Sequence, residues 1–144
     1  MKTLFNAVTI LVLASAAQAE DWPPADTYFS RISAKCSDDA DWCAKAEAVW
    51  TKDYEKATRG DYQGQRNVSF CLSTGCTEFY NQSIRPNPIL GCAWRYVILE
   101  SGHLSVDDTD TQNLKVFCGP QYLDKAGLSA AEAQANRLLK MLGQ

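Results

Sequence analysis

The sequence predicts an all-α fold of about six antiparallel helices stapled by disulfides. Three observations carry that expectation. Every patterned segment repeats its apolar residues at three or four positions, and no run alternates in the two-residue rhythm of a strand. Asp, Asn, Pro and Gly stand between those segments at helix-capping positions. Six cysteines sit in a chain of 144 residues that opens with an export-type leader.

The leader is read first. Met1-Lys2 is a short basic start, Leu4 to Ala17 is an apolar run, and Ala17-Gln18-Ala19 is a small-x-small cleavage signal. The run is shorter than the roughly 20 residues a membrane span needs. Residues 1–19 are therefore expected to be a signal peptide, and residues 20–144 a single helical domain. Glu20 follows where a lipoprotein would carry Cys, so no lipid anchor is expected, and no stable membrane insertion after cleavage. The formal charge of −3 lacks the basic face that phosphate backbones require, which argues against a nucleic-acid partner.

Pro23-Pro24 precedes a first short helix, with Asp26 as its cap and Tyr28, Phe29 and Ile32 on one side. A second helix is expected over about 41–59, its stripe made by Trp42, Ala46, Val49, Trp50, Tyr54 and Ala57. Gly60 ends it. Asp61 caps a third helix, which runs to about residue 73 and stops at Gly75. Gly64 inside it costs about 1 kcal/mol against alanine, and close approach of a neighbouring helix is the expected compensation. Residues 76–87 show no period and read as loop. Asn87-Pro88 is a cap followed by proline at the first helical position. The fourth helix carries Ile89, Leu90, Cys92, Ala93, Trp94, Tyr96, Val97, Ile98 and Leu99. Apolar nearly all round, it is expected to be the central buried helix. Gly102 ends it. A fifth helix starts near Asp107 or Asp108, includes Leu114 and Phe117, and stops at Gly119-Pro120. Ser129 to Glu132 reads as a capping box opening a last helix, with Leu138, Leu139 and Leu142 turned inward.

An even cysteine count behind a leader reads as three disulfides among Cys36, Cys43, Cys71, Cys76, Cys92 and Cys118. A metal site fits less well, because no C-x-x-C pair exists and the single histidine is remote in sequence from any paired cysteines. Cys92 near the start of one helix and Cys118 near the end of the next are neighbours in an antiparallel pair. Cys71 and Cys76 flank the reversal at Gly75. Cys36 and Cys43 remain. Seven residues of continuous helix rise about 10.5 Å, too far for a disulfide. That bond requires a break near residues 37–40.

The stretch from Ala48 to Gly75, AVWTKDYEKATRGDYQGQRNVSFCLSTG, resembles a Sel-one-like repeat, a branch of the tetratricopeptide-like helical repeats. Trp50, Ala57, Gly60, Asp61, Gln65, Asn67 and Gly75 fall in the repeat's slots, with Gly64 in place of the usual alanine. A degenerate second hairpin spans 88–118, where Trp94, Gly102, Asn113 and Leu114 match weakly. The resemblance covers about half of residues 20–144, and the segment 76–87 departs from a tight array. It implies helical-repeat hairpins and an adaptor or regulator that holds partner proteins. It carries no catalytic motif.

The chemistry-bearing residues are few. His103 is the only histidine. With Asp107 or Asp108 to orient it, it could serve a nucleophilic site, but a place just after Gly102 suits an exposed residue at a helix C-terminus better. Asp107, Asp108 and Asp110 lack the spacing of a calcium loop and read as caps. Glu78 with Asp107 is a carboxylate pair of the kind found in sugar-cleaving enzymes, but any acidic chain of this size offers such pairs. Asn67 and Asn81 head glycosylation sequons and are expected to stay unmodified. Trp22, Trp42, Trp50 and Trp94 could line a ligand groove, though helical core positions are the better reading for three of them. Phe79 and Tyr80 lie in the loop, unclaimed by any periodic face, and are the candidate partner-binding residues.

These readings converge on an exported protein, periplasmic or secreted, that binds other proteins without catalysis and needs no cofactor. The alternatives are a small inhibitor or immunity protein that blocks a secreted hydrolase with the loop 76–87, and a small cell-envelope hydrolase built on His103.

Overall fold

The computed structural model describes residues 22–30, 40–76 and 83–144. Within them lie five α-helices: α1 (Ala40–Ala57), α2 (Tyr62–Thr74), α3 (Pro88–Glu100), α4 (Asp108–Phe117) and α5 (Lys125–Met141). A single 3₁₀ turn, Ala25–Tyr28, precedes them. Among the described residues no strand forms. The one β-like contact is an isolated antiparallel bridge between Phe29 and Ile84. The helical expectation therefore holds with five α-helices rather than six.

The first expected helix is the one that changes. Asp26 does not cap it: Pro24 stands at that position and no side chain caps the turn. Its backbone bonds go elsewhere. The Ser30 amide donates to the Ser83 carbonyl, and the Arg85 amide to the Tyr28 carbonyl, at 2.7 and 2.8 Å. With the Ser30 amide and the Tyr28 carbonyl both taken by a second chain segment, the turn does not continue into a helix. It crosses the bundle as a strap.

The other ends follow their sequence signals. α1 closes on Gly60, whose φ is +86°. Asp61 accepts from the Gly64 amide to cap α2, and Gly75 terminates it at φ +74°. Asn87 accepts from the Leu90 amide with Pro88 at the first helical position of α3. Asp107 and Asp110 form a reciprocal capping box on α4. α5 departs from expectation. It begins at Lys125, one turn before Ser129, because Asp124 caps it by accepting from the Gly127 amide.

α1 and α2 are antiparallel, since residues 57, 53 and 46–50 meet residues 64, 67 and 71–76 in turn. Two glycines set the helix spacing. A Cβ at Gly64 would lie 2.7 Å from the Ala57 nitrogen and the Lys56 Cβ, which is the close approach that offsets a mid-helix glycine. A Cβ at Gly91 would lie 2.5 Å from the Ser73 hydroxyl and 2.9 Å from the Ser73 nitrogen. α2 and α3 therefore touch backbone to backbone.

α3 is the central element, packing on α2, α4 and α5. The main core joins Trp50, Tyr54 and Ala57 of α1 with Val68 and Leu72 of α2, Trp94 and Val97 of α3, and Ala135 and Leu138 of α5. Leu139 and Leu142 pack against it, partly buried. Val49, expected on the stripe of α1, is instead exposed at its edge, beside a small crevice lined by Asn67, Cys71 and Cys76. Cys92, Cys118, Leu123 and Ala131 form a smaller second core.

Cys71 bonds Cys76, and Cys92 bonds Cys118. Both pairings match the geometric expectation, and two such bonds are consistent with folding in an oxidising compartment. Cys43 is also disulfide-bonded. Its expected partner Cys36 lies outside the described residues, as do the leader and the loop residues Glu78, Phe79, Tyr80 and Asn81. No described helix is long and apolar enough to cross a membrane.

Candidate functional site

Two features of the surface are built from several elements at once. The first is a cleft of about 250 Å³ between the strap and the bundle. The strap contributes Trp22, Pro23 and Tyr28, and α1 contributes Tyr54. Ile89, Leu90 and Trp94 come from α3, with the capping residue Asn87 at the edge. Gln134, Arg137, Leu138 and Met141 come from α5, where spacings of three and four put them on one face.

Aromatic contacts hold the strap in place. Trp22 stacks on Trp94 with ring centroids 5.7 Å apart and planes 18° from parallel. Tyr28 packs on Trp50 and Tyr54 at 5.5 and 5.3 Å. The Trp50 indole N–H donates to the Ala25 carbonyl at 3.0 Å, and the Arg85 guanidinium donates to the Thr27 carbonyl. Tyr54 is only 4% exposed. Its hydroxyl makes no hydrogen bond of ordinary geometry. Burial, reinforced by the Tyr28 hydroxyl beside it, pushes its pKa upward, so it remains a proton donor at neutral pH. Among the described residues lining the cleft, Arg137 is the one charged group and no carboxylate is present.

The second feature is an exposed aromatic patch. Phe70 of α2 meets Phe117 of α4 edge-on at 6.1 Å, and Phe117 meets Tyr122 at 5.2 Å. Phe70 and Tyr122 are each 37% exposed, and Val116 beside Phe117 is 47% exposed. Beneath them lies Arg95, 5% exposed, its guanidinium 4.1 Å from the centre of the Phe117 ring. The Arg95 Nε and Nη2 have no hydrogen-bond partner. Burial pulls its pKa down and the Asp110 charge works against that, so the guanidinium stays charged at neutral pH. A stacked arginine under exposed rings is a cation–π arrangement.

His103 stacks on Tyr62 at 5.0 Å, and its Nδ1 accepts from the Ser105 amide at 3.1 Å. The neighbouring carboxylates are engaged elsewhere. Asp107 accepts from the Thr109 and Asp110 amides. Desolvation works to raise its pKa, but those hydrogen bonds and the Arg66 charge hold it below the ordinary carboxylate value. Asp110 is buried, accepts from the Tyr62 hydroxyl at 2.6 Å and pairs with Arg66 at 3.2 Å. Asp108 is exposed in the first turn of α4. Among the described residues no cluster of three potential metal ligands forms. Asn67 is half-buried: its amide donates to Asp53 at 2.9 Å and accepts from Gln63 at 2.8 Å.

Of the tryptophans, Trp50 and Trp94 are buried, while Trp22 and Trp94 both line the cleft. The patch residues Phe70 and Tyr122 were not signalled by the reading of motifs. Phe70 carries one usable sign, a large aromatic off the Val68–Leu72 stripe of its own helix.

Comparison with family models, curated proteins and solved structures returns no match for this chain.

Proposed function

We propose that this chain is an exported, non-catalytic protein-binding module, periplasmic or secreted, acting as an adaptor or regulator. The observation that supports it is the Phe70–Phe117–Tyr122 patch. Aromatic residues contribute large contact area at little conformational cost and dominate interface energetics. Contiguous exposed apolar surface edged by polar residues is a common mark of an interaction site. Lys115 precedes Val116 at the edge of the patch, whereas the Arg66 charge, one helical turn before Phe70, is already paired with Asp110. The fitting partner is a protein with an apolar contact surface edged by carboxylates. The Sel-one-like resemblance points the same way, and Phe79 and Tyr80, read from the sequence alone, are proposed as partner-binding residues in their own right.

The test places a photo-crosslinking amino acid at Tyr122 and, separately, at the fully exposed Leu104. The expected result is one discrete protein adduct from position 122 and none from position 104. The partner, once purified, should bind at least tenfold more weakly to a Phe70→Ser/Tyr122→Ser variant whose thermal melt is unchanged. Phe79→Ala/Tyr80→Ala examines the loop in the same assay. Identical adducts from both positions, or full affinity in the patch variant, reject the reading.

A further inference from the structure

The cleft between the strap and the bundle is unrelated to the patch and needs its own account. It is concave, mostly apolar and set with a few polar groups, which is the general form of a small-ligand site. Its size, its wall and its charge each restrict the ligand. An apolar cavity of about 150 Å³ takes up benzene, so a cleft of about 250 Å³ has room for a fused pair of rings. The accessible wall is made of Trp22 and Tyr28 from the strap, Ile89 and Leu90 from α3 and Met141 from α5, all half-buried. Flat rings and aliphatic side chains suit a flat apolar guest. A sugar ring, with a hydroxyl on most of its carbons, would set several of them against Ile89, Leu90 and Met141 with nothing to bond. Among the described lining residues Arg137 is the one charged group, and it is already engaged. A carboxylate or an ammonium would shed its water there without gaining an unopposed ionic partner. Two side-chain amides remain, Asn87 ahead of α3 and Gln134 of α5, both exposed. The Asn87 Oδ1 is committed to the Leu90 amide. Gln134 keeps a donor and an acceptor side by side, which matches a neutral polar atom on the edge of the guest.

We propose that this cleft receives a neutral bicyclic heteroaromatic group, its rings against Trp22 and Tyr28 and its polar edge toward the Gln134 amide. Two sources share that chemistry: a free heteroaromatic molecule, and a tryptophan side chain of another polypeptide. The cleft volume limits the inserted part to one such group.

The experiment uses the intact, oxidised protein and follows the indole N–H resonances of its tryptophans by NMR. The probes are indole-3-acetamide, indole-3-acetate and tryptamine, which keep the rings and change the charge. Indole-3-acetamide should bind saturably, shifting Trp22 and Trp94 while Trp42, which does not line the cleft, stays in place. The acid and the amine should both bind more weakly, and glucose not at all. Phenylacetamide, with one ring fewer, should bind about fivefold more weakly, for the roughly 40 Å² of apolar surface it no longer buries. Gln134→Ala should weaken indole-3-acetamide about fivefold, the value of one hydrogen bond of about 1 kcal/mol. Met141→Trp, a change at a half-exposed position, should fill the cleft and abolish binding without altering the melt. An acetylated and amidated Gly-Trp-Gly peptide distinguishes the sources. Tighter binding of the peptide than of indole-3-acetamide assigns the site to tryptophan side chains; weaker binding of the peptide, or none, assigns it to free molecules. The proposal is overturned if no probe saturates, if the acid or the amine binds as well as the neutral amide, if Gln134→Ala binds it undiminished, or if Met141→Trp binds as well as the parent. None of these outcomes bears on the patch, so this reading and the protein-binding one stand or fall separately.

Discussion

At the scale of single residues, the molecule spends its polar groups unevenly. Asp110 is buried and fully engaged, by Tyr62, by Arg66 and by the Asp107 amide. Arg95, on the neighbouring helix α3, is buried with Nε and Nη2 unpartnered. Removing one partner of a satisfied pair leaves an uncompensated charge, whereas replacing a guanidinium with two unpaired buried nitrogens removes a desolvation cost that its cation–π contact with Phe117 offsets only in part. Arg95→Met keeps the length of the stem that packs on Phe117 and discards the guanidinium. We expect it to stabilise the fold by about 1–3 kcal/mol, measured as an increase in the urea midpoint at unchanged slope. If Arg95→Met destabilises instead, the guanidinium interacts with Asp110 more strongly than the geometry implies. Residue-scale features of this kind were the least legible in the sequence. Arg95 sits in an apolar helix with no local sign of burial, because its depth is fixed by α4 and Tyr122, which lie 13–27 positions further along the chain.

At the scale of elements, the sequence was most informative where the physics is local. The caps at Asp61, Asn87 and Asp107 and the stop at Gly75 depend on a few adjacent residues, and each stands where the pattern placed it. The strap did not, because Phe29 and Tyr28 find their backbone partners more than fifty positions away, near Ile84 and Arg85. The start of α5 moved because a second capping signal, Asp124, lies five positions before Ser129 and gains more than a turn of helix over it. Helix contact supplies the prediction at this scale. Gly91→Ala must separate α2 from α3 and should cost about 1–3 kcal/mol, as overpacking does. Ser73→Ala in the same chain removes the contact with the hydroxyl at 2.5 Å but not the one with the Ser73 nitrogen at 2.9 Å. The double variant should therefore recover part of the loss, and a full recovery in thermal denaturation would falsify the backbone contact.

Across the whole molecule, the two described disulfides work over different lengths of chain. Cys71–Cys76 closes a separation of 5 residues and Cys92–Cys118 one of 26. The chain-entropy relation gives about 2 kcal/mol for the first and about 3.5 kcal/mol for the second. Cys92→Ala/Cys118→Ala should therefore lower stability more than Cys71→Ala/Cys76→Ala, compared by denaturant titration. Equal losses would place the effect in native-state packing rather than in the unfolded chain. Fold class and both pairings were legible because they follow from helix period and helix order. The cleft was not, since its walls come from four segments spread over 120 positions and only the finished packing brings them together.

The Trp22–Trp94 stack has a spectroscopic corollary. Two indoles this near to one another behave as coupled oscillators, and their excitations mix and split. Circular dichroism should therefore carry a paired positive and negative band on top of the ordinary helical signal. Its fading would mark the lifting of the amino-terminal segment while every helix remained wound, giving an optical handle on the cleft's outer wall without any attached dye.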